Sequence, residues 1–147
     1  LAGDRQEGEA TMRQADSFTK IFEHDEQFKG LMRRLLEVAI TNAFDAIMIT
    51  ENKPGYPIVY VNQAFTDMTG YGNAELKGQS PTILQGPKTD RAVLDRLRRE
   101  ISEGKIFHGR AVNYRKDGSE FIMEWKIAPV RNESGDITHY LAIQRNP

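Results

Sequence analysis

The sequence predicts an α+β fold: one five-stranded antiparallel sheet with short helices on one face, preceded by an N-terminal amphipathic helix. Three observations predict it. Two short apolar runs on either side of residue 54 flank a Lys-Pro-Gly turn and read as a hairpin. The middle of the chain is cut into short helical pieces by Gly and Pro, followed by one longer amphipathic stretch. The chain then closes with three β-rich runs joined by Gly-containing turns. A length of 147 residues suits one domain with an extension.

Each element has a local reason. Leu1 to Gln14 is polar with almost nothing to bury, so residues 1–15 read as a flexible tail. Residues 16–41 form a helical cap or dimerisation segment. Phe18, Ile21, Phe22, Phe28, Leu31, Met32, Leu35, Leu36 and Ala39 recur there at spacings of three and four, with Asp16 or Ser17 as the cap. Gly30, which costs about 1 kcal/mol against Ala, marks a break between two helices. Ala46–Thr50 and Pro57–Val61 are the hairpin strands, turning through Glu51 to Gly55. Asn62 caps a short helix that runs to Met68 and is closed by Gly70. Further helical pieces fall at Ala74–Lys77 and Thr82–Gln85, separated by Gly78 and Pro81. Thr89 or Asp90 caps the longer helix, whose Val93, Leu94, Leu97 and Ile101 form a stripe before Gly104 stops it. Strands at Phe107–Tyr114, Glu120–Val130 and Ile137–Gln144 complete the sheet. Short helices over a sheet leave a hollow between the layers, the natural place for a small ligand.

Composition narrows the chemistry. The chain has 20 Lys+Arg against 21 Asp+Glu, a formal charge of -1 and no Cys. Zero Cys excludes disulfides, thiolate metal sites and a cysteine nucleophile. Balanced charge argues against a nucleic-acid partner. No apolar run approaches the ~20 residues of a membrane span, and no signal-peptide core follows the first residues, so a cytoplasmic location is expected. Phosphate-loop, dinucleotide-binding, nucleophile-elbow and zinc-protease motifs are absent. His24, His108 and His139 stand apart, without a second ligand at metal spacing, so no metal site is expected. Most carboxylates alternate with Lys and Arg, as on a solvated face, and an enzyme is not expected.

Several strings, in order, resemble a known family. Val59-Tyr60-Val61-Asn62-Gln63-Ala64-Phe65 followed by Thr69-Gly70-Tyr71 resembles the "YVNxAFxxxTGY" signature of PAS sensory domains. Asn113-Tyr114-Arg115-Lys116-Asp117-Gly118 is similar to their "NYRKDG" strand and turn, and Ile143-Gln144-Arg145 to their last strand. The resemblance spans residues 42–146 and is strongest to the flavin-binding light-oxygen-voltage (LOV) branch. Gly78 to Gly86 aligns without gaps with the LOV string "GxNCRFLQG", and Pro87-Lys88-Thr89-Asp90 with its continuation. Pro81 stands where that branch carries the cysteine that attacks the flavin after blue light, so the resemblance implies no covalent adduct.

The resemblance implies a non-covalent flavin, FAD or FMN, and a set of contacts. Gln85 matches a ribityl contact, and Ser80 replaces an asparagine that bonds the same chain. Asn113 matches the first of two asparagines on the pyrimidine edge, while Met123 takes the place of the second. Gln144 matches the glutamine that reads the carbonyl and N5 region. Arg98 matches one of two phosphate-binding arginines, and Thr82 replaces the other. Thr50 on the first strand completes the candidate set. Asn and Gln each offer a donor and an acceptor, and Asn113 and Gln144 are expected on neighbouring strands, converging on one edge of the ligand. Glu75 and Lys116 resemble a family ion pair. The implied role is a redox or light sensor that forms homodimers through the N-terminal helix. It would relay to an effector outside this chain, a kinase or a cyclic-dinucleotide enzyme. Pro81, Thr82, Ser80 and Met123 support the alternative: a dimerisation or interaction module whose hollow is empty or holds a non-flavin small molecule.

Overall fold

The computed structural model describes residues 26–147, and the chain divides into two compact units after Ala39. The expected tail, the Asp16/Ser17 cap, Phe18, Ile21, Phe22 and His24 lie outside the described residues. Helix α1 (Glu26–Thr41) runs through Gly30 without the expected break. One glycine costs only about 1 kcal/mol, and the Leu, Met, Arg and Lys around it are good helix formers. Leu31, Leu35 and Leu36 on this helix are exposed.

The second unit is the expected sheet with its helices. Strands β1 (Ala46–Glu51), β2 (Ile58–Val61), β3 (Phe107–Tyr114), β4 (Glu120–Arg131) and β5 (Ile137–Arg145) are antiparallel in the order β2-β1-β5-β4-β3. Consecutive strands form the hairpins β1–β2, β3–β4 and β4–β5. The remaining pairing, β1 with β5, joins Ala46 to Gln144 and Glu51 to His139 in unbroken register. Inward residues alternate: Phe121, Met123 and Trp125 on β4, and Tyr140, Ala142 and Gln144 on β5, all buried.

Between β2 and β3 lie α2 (Gln63–Thr69), α3 (Asn73–Leu76), a 3₁₀ turn (Pro81–Leu84) and α4 (Arg91–Ser102). Their ends follow side-chain chemistry. Asn62 Oδ1 accepts from Phe65 N at 3.1 Å, and Gly70 closes α2 at φ 82°. Asp90 caps α4 by accepting from Ala92 N at 2.9 Å. The segment expected as a helix at Thr82–Gln85 is instead a single 3₁₀ turn beginning at Pro81. Proline fits a first helical position, and Gln85 leaves the turn in an extended conformation, so the segment gets no further.

The core is the inner sheet face under the helices: Phe65, Phe107, Ile58, Leu76 and Val61 are fully buried, and Ile101 of α4 joins them. No helix among the described residues is long and apolar enough to cross a membrane.

Candidate functional site

The hollow expected between sheet and helices is present as a cavity of about 130 Å³. Its floor is the inner face of the sheet, with Met48 and Thr50 from β1, Met123, Trp125 and Ile127 from β4, and Tyr140, Ala142 and Gln144 from β5. Asn113 of β3 adds an amide. Ser80, Pro81, Thr82, Leu84 and Gln85 of the 3₁₀ segment and Leu94, Leu97, Arg98 and Ile101 of α4 cover it. All six residues singled out from the sequence, Thr50, Ser80, Gln85, Arg98, Asn113 and Gln144, line this one space.

Asn113 and Gln144 are not on neighbouring strands, contrary to expectation. β4 lies between β3 and β5, because β5 turns back along β4 and then takes β1 as its other neighbour. Across the ladders Asn113 stands opposite Phe121, and Gln144 stands opposite Trp125. The two amides therefore meet the cavity from separate points on its floor.

Hydrogen bonding separates the polar groups that are already held from those that are not. Ser80 Oγ accepts from Thr82 N at 3.3 Å and lies 3.1 Å from Thr82 Oγ1, so it serves the 3₁₀ turn. Arg98 is half-exposed at the rim, with a loose 3.4 Å contact to Asp95. Asn113 is buried, and the one side-chain hydrogen bond it makes among the described residues is a long one of 3.4 Å from Nδ2 to the Ala111 carbonyl. Gln144 is 4 % exposed, and its Oε1 is the one fully enclosed side-chain polar atom among the described residues without a hydrogen-bond partner. An amide oxygen left this way costs about 1–3 kcal/mol. It is the kind of group that persists where a ligand supplies the partner.

Aromatic residues complete the wall. Tyr56, the one described non-glycine residue with positive φ (49°), sets its ring edge-on to Tyr140 with centroids 5.8 Å apart. Tyr140 donates its hydroxyl to the Ile101 carbonyl at 3.3 Å, and burial raises its pKa above the ordinary phenol value. Trp125 packs 5.5 Å from Phe107. The sequence reading missed these three as cavity residues. The period-two pattern of β4 and β5 carried the signal for Trp125, two residues from Met123, and for Tyr140, four residues from Gln144 on the same face.

Outside the cavity, Lys116 Nζ meets Glu75 Oε2 at 2.5 Å, forming the pair suggested by the resemblance. Lys116 and the Gly72 N–H together lower the Glu75 pKa. His108 lies 3.5 Å from Glu124 on the outer sheet face, and no cluster of three or more potential metal ligands occurs among the described residues.

Comparison with known proteins places this architecture. A PAS domain family model matches residues 45–146. Phototropin-2 of rice (Oryza sativa subsp. japonica) is 33% identical over 110 residues, covering 74% of this chain and 12% of that protein. The nitrogen fixation regulatory protein of Klebsiella oxytoca is 32% identical over 121 residues, covering 82% of this chain and 23% of its own length. The chain thus spans less than a quarter of either relative. Among solved structures, that described as "Flavin Analogue Sheds Light on Light-Oxygen-Voltage Domain Mechanism" superposes with a TM-score of 0.71 at 34% identity, over 76% of this chain and 84% of that one. With the fold, the cavity and the matched span in agreement, this chain belongs to the PAS domain family.

Proposed function

We propose that the domain is a sensor that holds a flavin non-covalently in the cavity between the sheet and α4. It passes the cofactor's state to an effector elsewhere in a longer protein. The observation that carries this reading is the enclosed, unpartnered Oε1 of Gln144 in a space whose sheet floor is largely apolar and holds a second, weakly held amide at Asn113. A flat heteroaromatic ring with donors and acceptors on its rim and apolar faces answers that lining. The relatives' names, a phototropin and a solved light-oxygen-voltage domain studied with a flavin analogue, support the same cofactor.

Gln144 and Asn113 would hold the polar edge of the ring, Gln85 and Thr50 the groups beside it, and Arg98 at the rim a phosphate. A bound flavin supplies visible-light absorption and reversible redox chemistry, with a ring nitrogen that changes from acceptor to donor on reduction. The Gln144 amide, offering either C=O or N–H, answers that change by rotating. Its strand is central, paired with β1 on one side and β4 on the other. With no Cys anywhere in the chain and Pro81 at the adduct position of the LOV-like string, signalling proceeds without a covalent bond. Exposed Leu31, Leu35 and Leu36 on α1 support a homodimer through that helix. The effector, a kinase or a cyclic-dinucleotide enzyme, belongs to the parent protein. Sedimentation of the native chain beside a Leu35→Lys variant tests the dimer.

A second reading has its own support. At about 130 Å³ the cavity is smaller than the roughly 300 Å³ at which ligand pockets commonly begin. Met123 adds a flexible apolar chain where an amide would help a flavin. On that reading the domain is an interaction module with the cavity empty or holding a smaller apolar molecule. One experiment separates the two: the chain is purified after expression with riboflavin and scanned for flavin absorbance, and any released small molecule is identified by mass spectrometry. Flavin bands that fall in Gln144→Leu support the sensor. A colourless protein, or a different ligand, overturns it.

A further inference from the structure

We infer that Trp125 is an electron-transfer quencher for the cavity's occupant, so that the domain answers to chemical reductants and not to blue light. The inference rests on the flavin reading above. Trp125 is the chain's single Trp and is 6 % exposed, and it lines the cavity. It stands directly opposite Gln144 across the β4–β5 ladder. Side chains so paired lie on one face with Cβ atoms roughly 5 Å apart. Whatever hydrogen bonds to the Gln144 amide is therefore within contact range of the indole. Phe107 braces the indole from behind at 5.5 Å, and the Arg96 guanidinium lies 4.6 Å over the Phe107 ring. The donor is thus held in place.

The lining explains why the donor is Trp125 and why nothing accumulates. Indole is an electron-rich ring that releases an electron without first releasing a proton. Tyr56 and Tyr140, also in the wall, would each have to shed a phenolic proton, and Tyr140 donates its own to the Ile101 carbonyl, which is no base. Among the described residues, no Asp, Glu or His lines the cavity to take a phenolic or indole N–H proton. One electron therefore passes from Trp125 to the photoexcited ring, and the same electron returns. No bond forms or breaks, no proton moves, and no outside oxidant or reductant is consumed. Excitation ends as heat. Reduction in the dark by an external two-electron donor such as a nicotinamide, or by dithionite, is untouched by this cycle.

The test is time-resolved flavin fluorescence on the flavin-loaded chain, beside Trp125→Phe and Tyr140→Phe. The native chain is expected to be dim and short-lived. Trp125→Phe lengthens the lifetime several-fold, and Tyr140→Phe leaves it unchanged. Dark reduction by dithionite proceeds to the same end point in all three. Ultrafast absorption of the native chain should show an indole cation signal that appears and decays with the excited state, a readout that needs no variant to fold. A long-lived native fluorescence, a lifetime unmoved by Trp125→Phe, or no indole signal overturns the inference. A chain that carries no flavin overturns the sensor reading instead, and absorbance shows which has failed.

Discussion

Replacing Asn62 by Ala removes four hydrogen bonds from a side chain that is 1 % exposed. Its Oδ1 accepts from Phe65 N at 3.1 Å, capping α2, and from Ile47 N of β1 at 2.8 Å. Its Nδ2 donates to the carbonyls of Ile40 and Asp45 at 2.9 and 3.1 Å. Loss of the cap costs about 1 kcal/mol. Stranding the buried Ile47 N–H adds about 1–3 kcal/mol. The Ile40 and Asp45 carbonyls are only partly buried, so water replaces much of what they lose. The expected total is about 2–4 kcal/mol, a large part of the 5–15 kcal/mol that holds a typical domain. At about 4–8 °C per kcal/mol, the midpoint falls by about 8–30 °C. Urea unfolding followed by fluorescence of Trp125, buried and unique in the chain, measures the change directly. Asn62→Ser is the control: its hydroxyl keeps the cap but cannot span to Ile47 as well, so it should recover about 1 kcal/mol and no more. An Ala variant within about 0.5 kcal/mol of the native chain, or full recovery by Ser, would refute the reasoning.

Two further outcomes are expected. In Gly86→Ala the new Cβ would sit 2.2 Å from Tyr114 Cε2, and that phenol accepts from Lys88 N at 3.0 Å. The variant should lose about 1–3 kcal/mol, with partial rescue by a second change, Tyr114→Ala, in a double-mutant cycle. Glu124 is held below the usual carboxylate range by the Arg110 guanidinium at 2.7 Å, helped by His108. Since its folded value is the lower one, the unfolded chain binds the extra proton first as pH falls. Stability should therefore drop as pH passes below about 4.3. Glu124→Gln should flatten that acid limb in melting curves taken across it. An unchanged limb would count against the pair.

Local chemistry made most elements legible. Asn62, Gly70 and Asp90 announce helix ends because capping is a contact between near neighbours in sequence. The three hairpins follow from short connections. What the sequence could not convey is what distant segments do to one another. Asn62 reads as a cap, while its bonds to Ile47 of β1 and to Ile40 exist only once those residues are brought beside the start of α2. The placement of Gln144 beside Trp125, and not beside Asn113, depends on β5 lying between β1 and β4, a fact no periodicity encodes. Gly30 shows the opposite error. At Gly30 a residue with a strong local preference was expected to set the outcome, but its helix-forming neighbours carried α1 through; Pro81, expected to separate two short helical pieces, instead begins the second of them as a 3₁₀ turn.

The central place of β5 also governs how the domain comes into being. β1 is made early in the domain, yet its long ladder, from Ala46 with Gln144 to Glu51 with His139, waits for a strand that lies some ninety residues further on. Closing so long a loop must precede the contacts that reward it, which slows folding and leaves the β1–β2 hairpin with one edge open meanwhile. On a ribosome the cavity floor cannot be complete until Arg145 has cleared the exit tunnel. Any cofactor that fills the cavity therefore binds only after β5 has joined the sheet, and its binding then favours the closed sheet.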